Sequence, residues 1–183
     1  MNEKHFDVKG LSYIVRPAGR QDAKELSALR VQIDGETEYL DREKGESFID
    51  EADFRELIKK DSEHERRLFL VAVAQNKIVG FSRCAGQDLK RFSHQVEFGI
   101  CVLKEFWGYG IGNRLLNESI VWADTASIQK ITLRVSETNK RAFSLYQKLG
   151  FEIEGILKKD KRLSDGTYEN TIVMGRWHDE PGI

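Results

Sequence analysis

Residues 95–120 read QVEFGICVLKEFWGYGIGNRLLNESI, and the order of residue types in them decides the fold class. The run 95–103 is apolar and rich in Val, Ile and Phe, which predicts a strand. Ile111, Leu115, Leu116, Ile120 and Ala123 then recur at helical spacing. Between the two, Gly108, Gly110 and Gly112 alternate with Tyr109 and Ile111. Where a strand enters such a turn and a helix leaves it, backbone N–H groups can approach an anion closely, because no Cβ stands in the way. The positive end of the helix dipole adds to the attraction, and a diphosphate can accept several donors at once. Two common phosphate motifs do not match: a Walker loop ends in Gly-Lys-Ser or Gly-Lys-Thr, whereas this turn closes with Gly112, Asn113 and Arg114. The glycines alternate as GxGxG, not as the GxGxxG of a dinucleotide fingerprint.

Outward from this stretch the chain keeps alternating between strand and helix patterns. Upstream, 13–16 is extended and ends at Pro17, after which Asp22 and Glu25 read as a capping box ahead of Leu26, Leu29 and Ile33 at helical spacing. An acid-rich stretch, 34–51, leads into a second helical face carrying Phe54, Leu57 and Ile58. Runs 68–74 and 78–84 are strand-like, and the short break between them suits a hairpin. Downstream, 131–135 is a strand, Asn139 can cap a helix with Ala142, Leu145 and Leu149 inside, and Gly150 stands at its left-handed end. Runs 151–157 and 167–174 flank a turn at Asp165 and Gly166. The result is an α/β protein with a mixed sheet of about seven strands and about four helices.

A chain of 183 residues suits one domain, expected over 11–178 with short extensions at 1–10 and 179–183. Hydrophobic residues at 40% and charged residues at 32% are those of a folding globular chain. A formal net charge of -1 lacks the basic surplus of a nucleic-acid binder, and the longest apolar run, 68–74, is too short to span a bilayer. The two cysteines, Cys84 and Cys101, lie apart in apolar strands with no zinc-like spacing, which predicts a reducing cytoplasm and no metal.

The segment FWGYGIGNRLL, 106–116, resembles the coenzyme A pyrophosphate loop of the GNAT superfamily of N-acetyltransferases, and NKRAFSLYQKLGF, 139–151, is similar to that family's second hallmark segment. The similarity of element order runs from Tyr13 to about Trp177. One position departs from the family pattern: Trp107 stands where Gln or Arg is usual. The resemblance implies a sheet splayed between its fourth and fifth strands, with acetyl-CoA as donor and a primary amine as acceptor, either a small molecule or a peptide N-terminus. It implies that Ile100, Cys101 and Val102 run beside the pantetheine arm, and that Trp107, Gly108, Tyr109, Gly110, Ile111, Gly112 and Asn113 hold the pyrophosphate. Asn139 matches a position that bonds the coenzyme arm, and Tyr146 matches the tyrosine that protonates the departing thiolate. Glu97 resembles a glutamate that acts as base in some members, its aim depending on the register of its strand. A noncatalytic acyl-CoA sensor would keep the turn without needing Glu97 or Tyr146, and an interaction domain would need none of them. The acids of 34–51 fall in the region that the resemblance places over the acceptor, where they would attract a cationic amine. A homodimer stays open.

Overall fold

A computed structural model describes residues 2–178. Its strands and helices are β1 (Lys4–Val8), β2 (Leu11–Pro17), α1 (Ala23–Asp34), α2 (Glu51–Ser62), β3 (Arg67–Ala74), β4 (Lys77–Gly86), β5 (Gln95–Val102), α3 (Ile111–Thr125), β6 (Lys130–Ser136), α4 (Lys140–Lys148), β7 (Glu152–Arg162) and β8 (Tyr168–Trp177). The eight strands form one sheet in the order β1-β2-β3-β4-β5-β6-β8-β7. Every neighbouring pair is antiparallel except β5 and β6. Parallel neighbours need a crossover, and α3 provides it.

The strand count is therefore eight, not about seven. The added strand, β1, pairs with β2 through a two-residue turn at Lys9 and Gly10, both with positive φ (52° and 81°). That conformation matches the twist of a tight hairpin, as does the turn at Gln75 and Asn76 (51° and 60°) between β3 and β4. β1 escaped the sequence reading because its KHFDV is short and mostly polar; only Phe6 and Val8 pack against the core. The capping box expected at Asp22 and Glu25 does not form. The Asp22 carboxylate instead accepts from Arg16 (2.7 and 2.8 Å) and from the Gly19 N–H (2.7 Å), while Glu25 accepts from the Ile78 N–H (2.7 Å) at the start of β4. Both acids tie α1 to the sheet.

Strand alternation assigns the two faces of the sheet. Ser82 of β4 meets Ser119 of α3, so even-numbered positions of β4 face α3, whose Ile111, Leu115, Leu116 and Ala123 are fully buried. Arg83 bonds Asp61 of α2, so odd positions face the other side, where Leu26 and Ile33 of α1 and Phe54 and Ile58 of α2 complete the core. Each such side chain contributes about 1.5–3 kcal/mol by leaving water. The junction of β5 and β6 is where the ladder fails. Only Gln95, Val96 and Glu97 pair with β6, opposite Lys130, Ile131 and Thr132. In the seven-strand count this is the expected splay between the fourth and fifth strands.

Candidate active site

The splay leaves one edge of β5 without a partner strand. The His94 carbonyl accepts from the Lys130 N–H (3.0 Å), so even-numbered residues of β5 turn their backbone groups towards β6, and odd-numbered ones towards β4. Past Glu97 the even positions Ile100 and Val102 therefore look into the gap. The Val102 carbonyl is taken by the Trp107 indole (Nε1 to O 2.8 Å). Among the described residues, nothing takes either backbone group of Ile100 or the N–H of Val102, which leaves them open to an extended ligand. Cys101, by contrast, is paired with Phe81 of β4, so its backbone groups point away from the gap.

This edge runs into the glycine turn. Gly108 and Gly110 have φ of 97° and 76°, a region that costs other L-residues about 1–2 kcal/mol, and Gly110 is the N-cap of α3. Among the described residues, no acceptor takes the N–H groups of Gly108, Tyr109, Gly110, Ile111, Gly112 or Asn113. The last three are the unpaired first N–H groups of α3. The Trp107 N–H already bonds the Lys104 carbonyl (3.1 Å), so the free donors start at Gly108. Trp107 acts through its side chain instead, joining the end of β5 to the turn and stacking on Tyr39 with ring centroids 6.5 Å apart. Arg141 of α4 reaches towards Gly108, its Nη2 lying 3.9 Å from where a Cβ there would stand. That second source of positive charge was missed; the signal was the Lys140-Arg141 pair inside 139–151.

A cleft of about 1020 Å³ joins the turn, the splay and the α1–α2 side. Tyr146 of α4 lines it, buried and packed on Phe151 (centroids 5.8 Å), and its hydroxyl has no hydrogen-bond partner among the described residues. Burial raises its pKa above the ordinary tyrosine value, and the neighbouring Cys101 adds to the rise. Burial likewise pushes the Cys101 thiol up to about 12, so it stays protonated at neutral pH and is a poor nucleophile. Glu97 lies on the same side of β5 as Cys101, both line the cleft, and Glu97 is exposed. Four residue steps separate the two, about 13 Å along the strand. Asn139 accepts from the Ala142 N–H (3.2 Å) as the N-cap of α4, and it also lines the cleft.

The acids of 34–51 turn out to be engaged in structure. Asp34 is held by both Nε and Nη2 of Arg42 (3.1 and 3.0 Å), Glu36 accepts from the Lys104 N–H (2.8 Å), and Asp50 caps α2 through the Asp53 N–H (2.8 Å). Glu38 binds Ser164, while Glu51 pairs with Arg55 at 2.5 Å. Of these, Asp34 and Glu51 are paired with cations, while Glu36, Glu38 and Asp50 are fixed by neutral donors and keep their charge. What lines the cleft from this side is Arg30, Arg42 and Arg83 among apolar Ile33, Phe54 and Phe81.

Residues 34–151 match the family model described as the acetyltransferase (GNAT) family. The chain is 36% identical over 108 residues to the L-amino acid N-acetyltransferase AaaT of Escherichia coli, a match covering 58% of this chain and 66% of the relative. It is 33% identical over 115 residues to a ribosomal protein bS18-alanine N-acetyltransferase of Haemophilus influenzae, covering 63% and 75%. Among solved structures, a GNAT-family acetyltransferase from Streptococcus pneumoniae superimposes with a TM-score of 0.88 at 28% identity, covering 91% of this chain and 99% of that one.

Proposed function

The chain belongs to the GNAT family of acetyltransferases, and on that premise we propose that it transfers an acetyl group from acetyl-CoA to a primary amine by direct attack, with both substrates bound at once. The observation that carries this reading is the continuity of two unpaired backbone surfaces: the open edge of β5 and the free N–H groups of 108–113 that follow it. An extended amide-bearing arm suits the first and a diphosphate the second. Acetyl-CoA, when bound, supplies an acyl thioester.

Gly108 to Asn113 would donate to the diphosphate, with Arg141 adding charge at its rim. Ile100 and Val102 would pair with the arm as a ninth strand would, and their N–H groups are the donors nearest a thioester oxygen in the gap. Tyr146 gives its proton to the sulfur as the carbon–sulfur bond breaks and is reprotonated from solvent. A buried tyrosine is a weak acid in absolute terms, but Cys101 reports what the same surroundings do to sulfur. Burial raises that thiol, so a bare thiolate is disfavoured in this part of the cleft and is stabilised by taking up a proton. Glu97 lies too far along β5 to touch the attacking nitrogen and would accept its proton through water. Binding of acetyl-CoA measured by calorimetry, followed by thiol release with a panel of amines, tests the reading. Binding without release from any amine identifies a sensor, and absence of binding removes both.

A further inference from the structure

Arg30, on α1, is 7% exposed and lines the cleft. Among the described residues its one hydrogen bond runs from Nη1 to the Ser47 carbonyl (2.6 Å), leaving most of its five donors unused. Among the described residues it has no ion-pair partner. The carboxylate one turn along α1, Asp34, is held on both oxygens by Arg42. Two guanidiniums thus share a single carboxylate. Burial, followed by the nearby Arg42, lowers the pKa of Arg30, as expected for a cation short of compensation. Arginine does not discharge near neutral pH, so such a site is relieved by an incoming anion. Across the cleft, Arg83 spends two nitrogens on Asp61 (2.5 and 2.9 Å) and keeps its third. The remaining acids on the lining, Asp41 and Glu97, are exposed to solvent at its edges.

The wall is also fixed in place. Segment 42–49 is fastened to α1 by Arg42 to Asp34, by Arg30 to Ser47 and by Ser27 Oγ to the Ile49 carbonyl (2.6 Å). Both arginines line the same cleft as Cys101 and the open edge of β5. Resting on the transfer reading above, we infer that the acceptor carries a carboxylate close to its amine, as a free amino acid with an apolar side chain does, and that Arg30 binds that carboxylate with Arg42 beside it. A bidentate guanidinium–carboxylate contact fits the unused donors, and Ile33, Phe54 and Phe81 suit an apolar side chain. A polyamine offers Arg30 no carboxylate and would bring a second positive charge beside an unpaired guanidinium.

The test compares L-leucine, L-leucinamide and spermidine in a thiol-release assay with saturating acetyl-CoA. The amide's amine is the less basic, so unaided reactivity at neutral pH favours it over the acid. The inference predicts kcat/KM for leucine at least about tenfold above leucinamide, a difference of about 1.4 kcal/mol, and little turnover of spermidine. Arg30→Gln should bring the leucine-to-leucinamide ratio close to one, Arg30→Lys should keep part of the preference, and acetyl-CoA affinity by calorimetry should stay within about twofold in both. If leucinamide or spermidine is the better substrate of the unaltered protein, the inference fails while the transfer reading stands. If acetyl-CoA binds but none of a wide amine panel releases thiol, the transfer reading itself fails. The comparison on the unaltered protein does not depend on either variant folding.

Discussion

Replacing Tyr146 by Phe separates a chemical role from a packing role. The ring is buried against Phe151, so Phe keeps the packing and removes only the hydroxyl. That hydroxyl has no partner among the described residues, so its loss orphans no donor or acceptor. The stability change should stay below about 1 kcal/mol, with the melting temperature shifting by a few degrees at most. Turnover is another matter: a positioned acid contributes about 100-fold or more, and the hydroxyl is the proton source proposed for a thiolate in this apolar part of the cleft. Coenzyme affinity should change little, since the backbone of 108–113 is untouched. The assay is steady-state thiol release with calorimetry and a melting curve on the same preparation. Turnover equal to that of the unaltered protein would remove Tyr146 as the acid, and a loss of turnover matched by unfolding would reassign it to the core.

Other perturbations bear on separate parts of the account. Gly110→Val forces a β-branched residue to φ 76° and should weaken acetyl-CoA binding by more than about tenfold at a cost of about 1–2 kcal/mol in stability; retained affinity speaks against the turn as the diphosphate site. Trp107→Phe frees the Val102 carbonyl and should cost about 1 kcal/mol in a urea titration, with no loss expected only if water replaces the indole without penalty. For Asp22, burial alone would raise the carboxyl pKa, but bonds from Arg16 and the Gly19 N–H outweigh it and hold the pKa below the ordinary value. A carboxyl depressed on folding stabilises the protein above its unfolded pKa, about 4, and that contribution is lost as pH falls through the lower folded value. Asp22→Asn should therefore narrow the stability difference between pH 6 and pH 3; an unchanged difference refutes the assignment.

Much of this was legible in the chain because local chemistry and global fold agree. The glycine turn, the cap at Asn139 and the short break at Gln75 and Asn76 each carry local signals that agree with the backbone found there. What the sequence hid were features set by tertiary pairing. β1 is too polar to announce itself and exists because β2 offers it an edge. Asp22 and Glu25 have helix-capping spacing, yet the sheet supplies better partners in Arg16, Gly19 and Ile78. The acids of 34–51 read as a diffuse field until their partners Arg42, the Lys104 N–H and Ser164, some far away in sequence, tie Asp34, Glu36 and Glu38 to definite places. Arg30 drew no notice on an ordinary amphipathic helix, since nothing in its neighbours foretells that Asp34 is held by Arg42. The face of Glu97 became readable only with the register that sets Ala85 opposite it.

The central claim is that the unpartnered amides from Gly108 to Asn113 receive a diphosphate, and a crystal structure of the acetyl-CoA complex tests it most directly. Diphosphate oxygens at about 2.7–3.2 Å from several of these nitrogens, with the pantetheine amides on Ile100 and Val102, are the predicted result. A coenzyme seated elsewhere, or a turn whose amides stay turned away from the phosphates, would contradict it.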